Sequence, residues 1–435
     1  MMKKLLSAAL AVLLIVSLSA CGGKGKTGNT KLPTAQSGGS GTDFQKYMAG
    51  GYSIDIDKMC ETESGYYLGY DAFVFYVDKQ SKSAAILCNK PECSHRDDKC
   101  NAWINGYSLS TYNGKLYYNS ADYVEEKGGY KNMGNVLRSM EFDGTKHDVV
   151  QSLEFIVNGS GMQNVQKPII HRGIVYFVCG GILYGAPIGD DIKNSVKIFG
   201  DQTDEIGGGT IDFNPNALQY KLFADGDTIY FMVNIQQSDK TYKDTLYAYQ
   251  PESGEVRECW KTPDKNEVGA WEKSGVSPSA WYVKDGYLYF YLSGNDLWRS
   301  ELSTGKNELL AKTSEKTKYG SAIFTDSYVC ILNDTPGGAF NVIENGQKYT
   351  GGDTLFVYNI DGSFIKELSL KDLYKKNSKI EHISLLFCSG NDIYFLVDAS
   401  TWNNPINGIA SPNTNLILCC ADIESGELTQ VYGWN

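Results

Sequence analysis

The sequence contains only 4 histidines in 435 residues and lacks the motifs that mark well-known enzyme classes. It has no Gly-x-Ser-x-Gly nucleophile elbow, no phosphate-binding glycine loop and no His-Glu-x-x-His metalloprotease motif. Basic residues are outnumbered by acidic ones, 40 to 51, and the formal net charge is −11. Nucleic-acid binding draws its affinity from basic surface, so this balance argues against that function.

Long hydrophobic runs are missing except near the start of the chain. An apolar run at residues 5–17 follows Lys3 and Lys4 and is too short to serve as a stop-transfer helix. The pattern predicts a signal peptide over residues 1–20. Small residues precede Cys21, as in a bacterial lipobox, so we expect cleavage before Cys21 and a lipid on its thiol. The alternative is an uncleaved anchor in which this cysteine is incidental.

Residues 21–44 lack apolar periodicity and are rich in Gly, Ser, Thr and Lys, which predicts a flexible tether after the lipidated cysteine. About twenty such residues have a root-mean-square reach of about 25 Å. Removal of residues 1–20 deletes two lysines and no acid, which takes the net charge from −11 to −13. We therefore expect a protein held on the outer face of the cytoplasmic membrane by lipid, with residues 45–435 folded.

Residues 279–310 show how the folded part is built. They contain four short apolar segments joined by turns rich in Gly, Asn and Asp, which suit tight hairpins. In the segment 287–292, leucine and phenylalanine alternate with three tyrosines, so both faces are apolar. A meander with two apolar faces has to pack between neighbours like itself, which is how a β-propeller blade is built.

The same unit recurs seven times along the chain. The central residues of its second strand are Tyr67, Tyr117, Tyr176, Tyr230, Tyr289, Cys330 and Tyr394. Their spacings of 41 to 64 residues fit blades that carry insertions. The sequence therefore predicts an all-β fold, a β-propeller of seven four-stranded blades; six or eight blades and a β-sandwich are the alternatives.

The insertions are not spread evenly. With the strands of each blade labelled A to D from the axis outward, the long connections are expected between strands B and C, at residues 119–135, 234–244, 333–353 and 398–415. The interblade segments 89–106, 200–218 and 261–279 belong to the same side, which we call the loop face. Long loops on a rigid scaffold usually carry function. The candidate ligand-binding side chains there are aromatic: Trp103, Tyr123, Tyr130, Trp271, Phe340 and Trp402.

Cysteines form the sharpest local signal in the chain. Cys88, Cys93, His95 and Cys100 lie within thirteen residues and match the ligand set of a closed tetrahedral metal site. One structural zinc or iron ion is the first interpretation. A disulfide between two of the three thiols is the second, because the protein is expected to be exported, and a redox-active site is the third.

Together, the lipobox at Cys21 and the stretch CNKPECSHRDDKCNA resemble a group of lipoproteins from anaerobic Gram-positive bacteria. These carry a propeller domain of unknown function that is distantly similar to the repeat domain of low-density-lipoprotein receptors. The resemblance covers Cys21 and roughly residues 50–435, and it implies the propeller fold. It implies no activity, since the group has none established, and the receptor-type Tyr-Trp-Thr-Asp motif is absent here.

Three functions are compatible with these features, and no catalytic residue is assigned. The first is a binding module that captures a protein, peptide or glycan partner through the loop face. The second is a carbohydrate-active hydrolase or lyase that uses two loop carboxylates as an acid/base pair. The third is a structural scaffold in a cell-envelope complex.

Overall fold

Four-stranded antiparallel sheets follow one another along the chain, and each is built from strands close in sequence. The computed structural model describes residues 32, 59–70, 72–104, 106–126, 129–153, 155–156, 162–163, 166–179, 182–200, 221–236, 242–262, 278–292, 296–314, 320–333, 342–344, 347–349, 353–376, 380–399 and 416–433. Seven such sheets form the blades of a β-propeller, as the repeat predicts.

The first three blades occupy the part of the chain before residue 200. Blade 1 consists of β1 (Met59–Glu61), β2 (Gly65–Tyr70), β3 (Phe73–Asp78) and β4 (Ala84–Ile86). Blade 2 consists of β5 (Gly106–Tyr112), β6 (Lys115–Glu126), β7 (Gly129–Glu141) and β8 (Asp148–Ser152). A small hairpin, β9 (Phe155–Ile156) with β10 (Met162–Gln163), precedes blade 3, which consists of β11 (Gln166–His171), β12 (Ile174–Cys179), β13 (Ile182–Pro187) and β14 (Val196–Phe199).

Four more blades complete the ring. Blade 4 consists of β15 (Lys221–Asp225), β16 (Thr228–Gln236), β17 (Tyr242–Gln250) and β18 (Glu255–Lys261); blade 5 of β19 (Pro278–Lys284), β20 (Tyr287–Leu292), β21 (Asp296–Glu301) and β22 (Asn307–Lys312). Blade 6 consists of β23 (Ser321–Phe324), β24 (Tyr328–Leu332), β27 (Thr354–Asn359) and β28 (Phe364–Ser369), with the hairpin β25 (Val342–Glu344) and β26 (Gln347–Tyr349) inserted. Blade 7 consists of β29 (Ile380–Ser389), β30 (Asp392–Ala399), β31 (Leu416–Asp422) and β32 (Leu428–Tyr432).

Helix is nearly absent from the part of the chain that the structure describes. A single turn of 3-10 helix (Ile192–Asn194) lies between β13 and β14, and the short helix α1 (Lys371–Lys376) connects blades 6 and 7. Among the described residues, none of the helices has the length and apolar character needed to cross a bilayer.

Alternation along β20 explains how one blade packs on both sides. Leu288 and Phe290 lie in the apolar cluster shared with blade 4. Tyr289 and Tyr291 point the other way and lie in the cluster shared with blade 6. Because side chains alternate with period two, one short strand supplies core to two interfaces.

Adjacent cysteines in β31 show the same division. Cys419 packs in the cluster between blades 6 and 7, whereas Cys420 packs in the cluster that joins blade 7 to blades 1 and 2. The two thiols therefore face opposite sides of the sheet, as their adjacency in a strand requires. Buried apolar clusters of this kind occupy every interface from blade 1 round to blade 7.

Blade 7 meets blade 1 and closes the ring by packing rather than by exchange of a strand. The ring centroid of Tyr66 lies 4.6 Å from that of Phe387 and 5.5 Å from that of Tyr394. Nearer the surface, the ammonium of Lys82 lies 2.7 Å from a carboxylate oxygen of Asp392. The closing interface therefore combines an aromatic core with a partly exposed ion pair.

The connection between strands B and C of blade 2 differs from the loop expected at residues 119–135. Strands β6 and β7 remain paired from Lys115 opposite Glu141 to Glu126 opposite Gly129, so the insertion is a long hairpin. The loop expected at residues 234–244 is shorter for the same reason, because strands β16 and β17 extend to Gln236 and Tyr242 and pair there. Backbone pairing can continue beyond the blade because the facing amides and carbonyls of the two strands bond to each other, and the outward groups can bond to water.

Candidate metal centre

The segment with three cysteines and one histidine connects strand D of blade 1 to strand A of blade 2. After β4 ends, Leu87 still pairs with Val74 of β3, through its amide at 2.8 Å from the Val74 carbonyl. The returning end of the segment takes over that edge, since the Val74 amide lies 2.9 Å from the carbonyl of Ala102. Both ends of the segment are therefore fixed to the same strand.

Four potential ligands converge inside this segment. One donor atom each from Cys88, Cys93, His95 and Cys100 lies within 4.8 Å of all the others. Within this group, Nδ1 of His95 lies 3.3 Å from Sγ of Cys100. Tetrahedral zinc has Zn–S bonds of about 2.3 Å and Zn–N bonds of about 2.0 Å, which place ligand atoms roughly 3.5–3.8 Å apart. The largest distance between two donor atoms, 4.8 Å, would have to shorten by about 1 Å to reach this spacing.

Two tight turns present these side chains. The amide of Cys93 bonds to the carbonyl of Lys90 at 3.2 Å, and the amide of Cys100 bonds to that of Asp97 at 3.1 Å. His95, between the turns, has a φ of 51°, a conformation that only a minority of non-glycine residues adopt. The left-handed residue reverses the chain and directs the imidazole back toward Cys100.

Bonds around the cluster hold its two halves together. The side-chain amide of Asn101 donates to that of Asn89 at 2.8 Å, which links the residues that follow Cys100 and Cys88. The ammonium of Lys90 donates to the carbonyl of Lys99. A backbone amide, that of Ala102, lies 3.4 Å from Sγ of Cys100. Such outer bonds orient the ligands of protein metal sites.

The thiols have different proton affinities. For Cys88, burial would raise the pKa, but the amides of Lys90 and Asn101 and the two neighbouring thiols outweigh it, and the pKa is lowered. For Cys100, burial raises the pKa to about 12, and the neighbouring thiols add to the effect despite the amide of Ala102. The Cys88 thiol therefore ionises more readily than the Cys100 thiol.

Blade 2 supports the cluster through a histidine that the sequence did not single out as functional. Nε2 of His147 lies 2.9 Å from the carbonyl oxygen of Asn101 and 3.0 Å from that of Gly144, while Nδ1 lies 2.7 Å from the Tyr118 hydroxyl. Carbonyls only accept, so Nε2 carries the proton and Nδ1 accepts from Tyr118. Gly144 has a φ of 81°, and a Cβ there would lie 2.3 Å from the Leu87 carbonyl oxygen. The turn between strands C and D of blade 2 therefore rests directly on the cysteine segment.

Of the six aromatic residues expected to bind ligand, the structure describes the side chain of one. Trp103 is half-buried, and its ring meets that of Phe73 edge-on at 5.0 Å, so it packs against blade 1. Tyr123 and Tyr130 belong to the hairpin of β6 and β7, and their side chains fall outside the described part. Also outside the described residues are Cys21, Trp271, Phe340 and Trp402.

A second group of charges lies at the turns between strands A and B. Burial raises the pKa of Asp225, and the carboxylates of Asp285 and Asp326 raise it further. The hydroxyl of Tyr282 donates to Asp326 at 2.5 Å, and the ammonium of Lys284 donates to the Asp326 carbonyl at 2.6 Å. An aspartate at the turn between strands A and B in three consecutive blades, in Asp225-Gly226, Asp285-Gly286 and Asp326-Ser327, is the signal that could have revealed this grouping.

Comparison with known proteins assigns no family to the chain. No family model and no curated protein matches the sequence. Among solved structures, dipeptidyl peptidase 4 of Porphyromonas gingivalis has 11% identity and a TM-score of 0.43, with 90% of this chain and 54% of that chain covered. Oligopeptidase B of Leishmania major has 9% identity and a TM-score of 0.45, with 91% and 49% covered. The chain thus spans about half the length of these two proteins.

A third similar structure is YCF48 bound to D1 peptide. It has 10% identity and a TM-score of 0.40, with 74% of this chain and 88% of that chain covered. Identities and scores this low carry no argument, and we take no activity, substrate or partner from any of the three.

Proposed function

We propose that Cys88, Cys93, His95 and Cys100 hold one structural zinc ion, with iron as the second choice, and that this ion fixes the junction of blades 1 and 2. The observation that carries the proposal is the convergence of all four donor atoms within 4.8 Å. Three sulfurs and one nitrogen fill a tetrahedron and leave no open position, which is typical of structural sites. The ion would neutralise the thiolates and fix the segment; no reaction is assigned to it.

A disulfide would involve only two of the four converging side chains. It would consume two thiols at a bond length of about 2.05 Å and leave the third thiol and the imidazole of His95 without a role. The three thiols are unbridged in the structure, and Cys100 is buried beside the histidine. The metal accounts for all four side chains, whereas the disulfide accounts for two.

The metal test compares matched cysteine variants. Elemental analysis of the purified chain is expected to give about one zinc per molecule, and Cys93→Ser or His95→Ala to lower that content severalfold. Cys259→Ser is the control, because Cys259 is a buried free thiol in blade 4, outside the cluster. A count of reactive thiols after denaturation that falls two short, together with metal-free protein, would establish the disulfide instead.

At the level of the whole protein, we propose a lipid-anchored extracytoplasmic binding module. The supporting features are the lipobox at Cys21, the charge of the mature chain, and a ring of seven blades whose long connections are expected on one side. The partner would be a protein, peptide or glycan of the cell envelope. Phase partitioning in detergent tests the anchor: Cys21→Ala is expected to move the protein out of the detergent phase, and an unchanged distribution would contradict lipidation.

A further inference from the structure

One residue of the segment expected to be a flexible tether lies inside the propeller. Leu32 is only 4% exposed and belongs to the apolar cluster between blades 3 and 4. Its methyl groups lie beside Gly185 of β13, and Ile198 of β14 belongs to the same cluster. On the other side, the backbone of Leu32 forms a hydrogen bond with the Tyr249 hydroxyl in blade 4. Contacts with two blades hold this residue in place.

Gly185 makes the room for it. A Cβ at this position would lie 2.8 Å from Cδ1 of Leu32 and 3.2 Å from Cδ1 of Ile198. Glycine inside a strand often marks a place where another group approaches the backbone closely. The pocket therefore depends on the absence of a side chain at residue 185.

Blade 3 differs from the other six blades at this position. In every blade, the residue of strand C that pairs with the central residue of strand B can be read from the register. Gly185 pairs with Tyr176. The equivalent residues in the other blades all have side chains: Tyr76, Ser139, Ala248, Arg299, Val357 and Cys420. Blade 3 is thus the one blade in which this strand C position has no side chain, which leaves room for Leu32.

The sequence of the tether offers one residue that can bind in an apolar pocket. Between Cys21 and Phe44, Leu32 is the only large apolar residue, in a stretch otherwise composed of small and polar residues. Burying a leucine side chain is worth about 1.5–3 kcal/mol, whereas the polar neighbours gain nothing from the same pocket. We propose that Leu32 is a docking residue that fixes the membrane tether in the cleft between blades 3 and 4 and so orients the propeller on the membrane.

Docking shortens the free part of the tether. Eleven Cα-to-Cα steps lead from Cys21 to Leu32, and they span at most about 40 Å when fully extended. Without the docked leucine, the first residue of the fold that limits this distance would be the start of β1, which a fully extended chain from Cys21 reaches at roughly 130 Å at most. The docked tether therefore keeps blades 3 and 4 close to the bilayer and directs blades 6 and 7 away from it. This orientation rests on the proposed lipidation of Cys21, whereas the docking itself does not.

A double-mutant cycle tests the docking. With the mature chain isolated in detergent, Leu32→Ser is expected to lower the melting temperature by about 2–5 °C, and the control Lys31→Ser to leave it unchanged. Gly185→Ala is expected to lower it in the wild-type chain because the new methyl displaces Leu32. In the Leu32→Ser chain the same change is expected to be neutral or stabilising, since alanine loses less entropy on folding than glycine. Equal effects of Gly185→Ala in both backgrounds would overturn the docking.

Energy transfer to a lipid dye tests the orientation separately. A fluorescent amino acid replaces Lys193 of blade 3 or Ser363 of blade 6, both exposed, in protein bound to vesicles. Transfer is expected to be at least twofold stronger from residue 193, and Leu32→Ser to remove the difference. Equal transfer from both positions in the wild-type chain would overturn the orientation. Failure of the protein to bind vesicles would contradict the lipid anchor, and the cycle would still decide whether Leu32 docks.

Discussion

His147 of blade 2 donates a hydrogen bond to the carbonyl of Asn101, the residue directly after Cys100. The two residues are 46 positions apart in sequence, and their contact connects the turn between β7 and β8 to the candidate metal centre. A second blade thus helps to hold the segment that carries the ligands. If the proposed metal is bound, this contact would make the stability of blade 2 and the retention of metal interdependent.

His147→Ala is therefore expected to affect both properties. Loss of the two partly buried carbonyl contacts and of the Tyr118 partner would cost about 1–3 kcal/mol of folding free energy. Release of zinc to a chelator is expected to become about tenfold faster, as for other outer partners of metal ligands. His171→Ala is the matched control, because His171 also contacts a carbonyl of the next blade, Gly226 at 2.8 Å. Equal zinc release rates in both variants would show that His147 does not support the site.

The interface between blades 7 and 1 allows a prediction of how much unfolding free energy its aromatic core and its ion pair each contribute. Tyr66 is 3% exposed between Phe387 and Tyr394, so Tyr66→Ala is expected to cost about 3–5 kcal/mol of unfolding free energy. The ion pair of Lys82 and Asp392 is partly exposed, so Lys82→Ala is expected to cost at most about 1 kcal/mol. Denaturant unfolding of both variants compares them. A larger loss from Lys82→Ala would mean that the ion pair, not the aromatic packing, closes the ring.

An asparagine and an aspartate clamp the base of the insertion in blade 6. The side-chain amide of Asn333 donates to the carboxylate of Asp353 at 2.9 Å, and the Thr354 hydroxyl donates to it at 2.7 Å. Burial would raise the pKa of Asp353, but these bonds and Lys371 outweigh it, and the pKa is lowered. A depressed carboxyl pKa stabilises the fold above the unfolded value near 3.8 and stops doing so as the pH falls through the folded value.

Asp353→Asn is accordingly expected to lower the melting temperature at pH 7 and to matter progressively less below about pH 4. The measurement is a series of melting curves for both proteins between pH 7 and pH 3. Asp148→Asn serves as the control, since Asp148 is exposed at the start of β8 in another blade. If the difference between wild type and Asp353→Asn grows toward low pH, the sign of the pKa shift is wrong.

The repeat was predictable because the physics of a blade is local. Apolar alternation, as in residues 287–292, and turn glycines identify each meander without knowledge of its neighbours. Docking of Leu32 was not predictable, since it depends on a single missing side chain at Gly185. The contact of His147 with Asn101 was hidden for a related reason: two blades have to be assembled before it exists. Extension of β6 and β7 was missed because paired backbones, not apolar pattern, maintain it.

The loop face remains the predicted binding surface, and the structure refines how to test it. Trp103 packs on Phe73, so Trp103→Ala is expected to lower the melting temperature as well as any binding, and it is a poor first variant. Tyr123→Ala and Trp402→Ala are the better ones. Aromatic anchors at interfaces commonly cost at least about 2 kcal/mol when truncated, which corresponds to roughly thirtyfold weaker capture on a glycan or peptide array.

The control for this experiment has to lie on the opposite side and carry no structural contact. Lys284 does not qualify, because its ammonium donates to the Asp326 carbonyl at 2.6 Å. Lys306 is exposed in the turn between β21 and β22, so Lys306→Ala is expected to leave both capture and melting temperature unchanged. Capture that survives Tyr123→Ala and Trp402→Ala but is lost in Lys306→Ala would place the working surface on the side of the short turns, where Asp225, Asp285 and Asp326 influence one another.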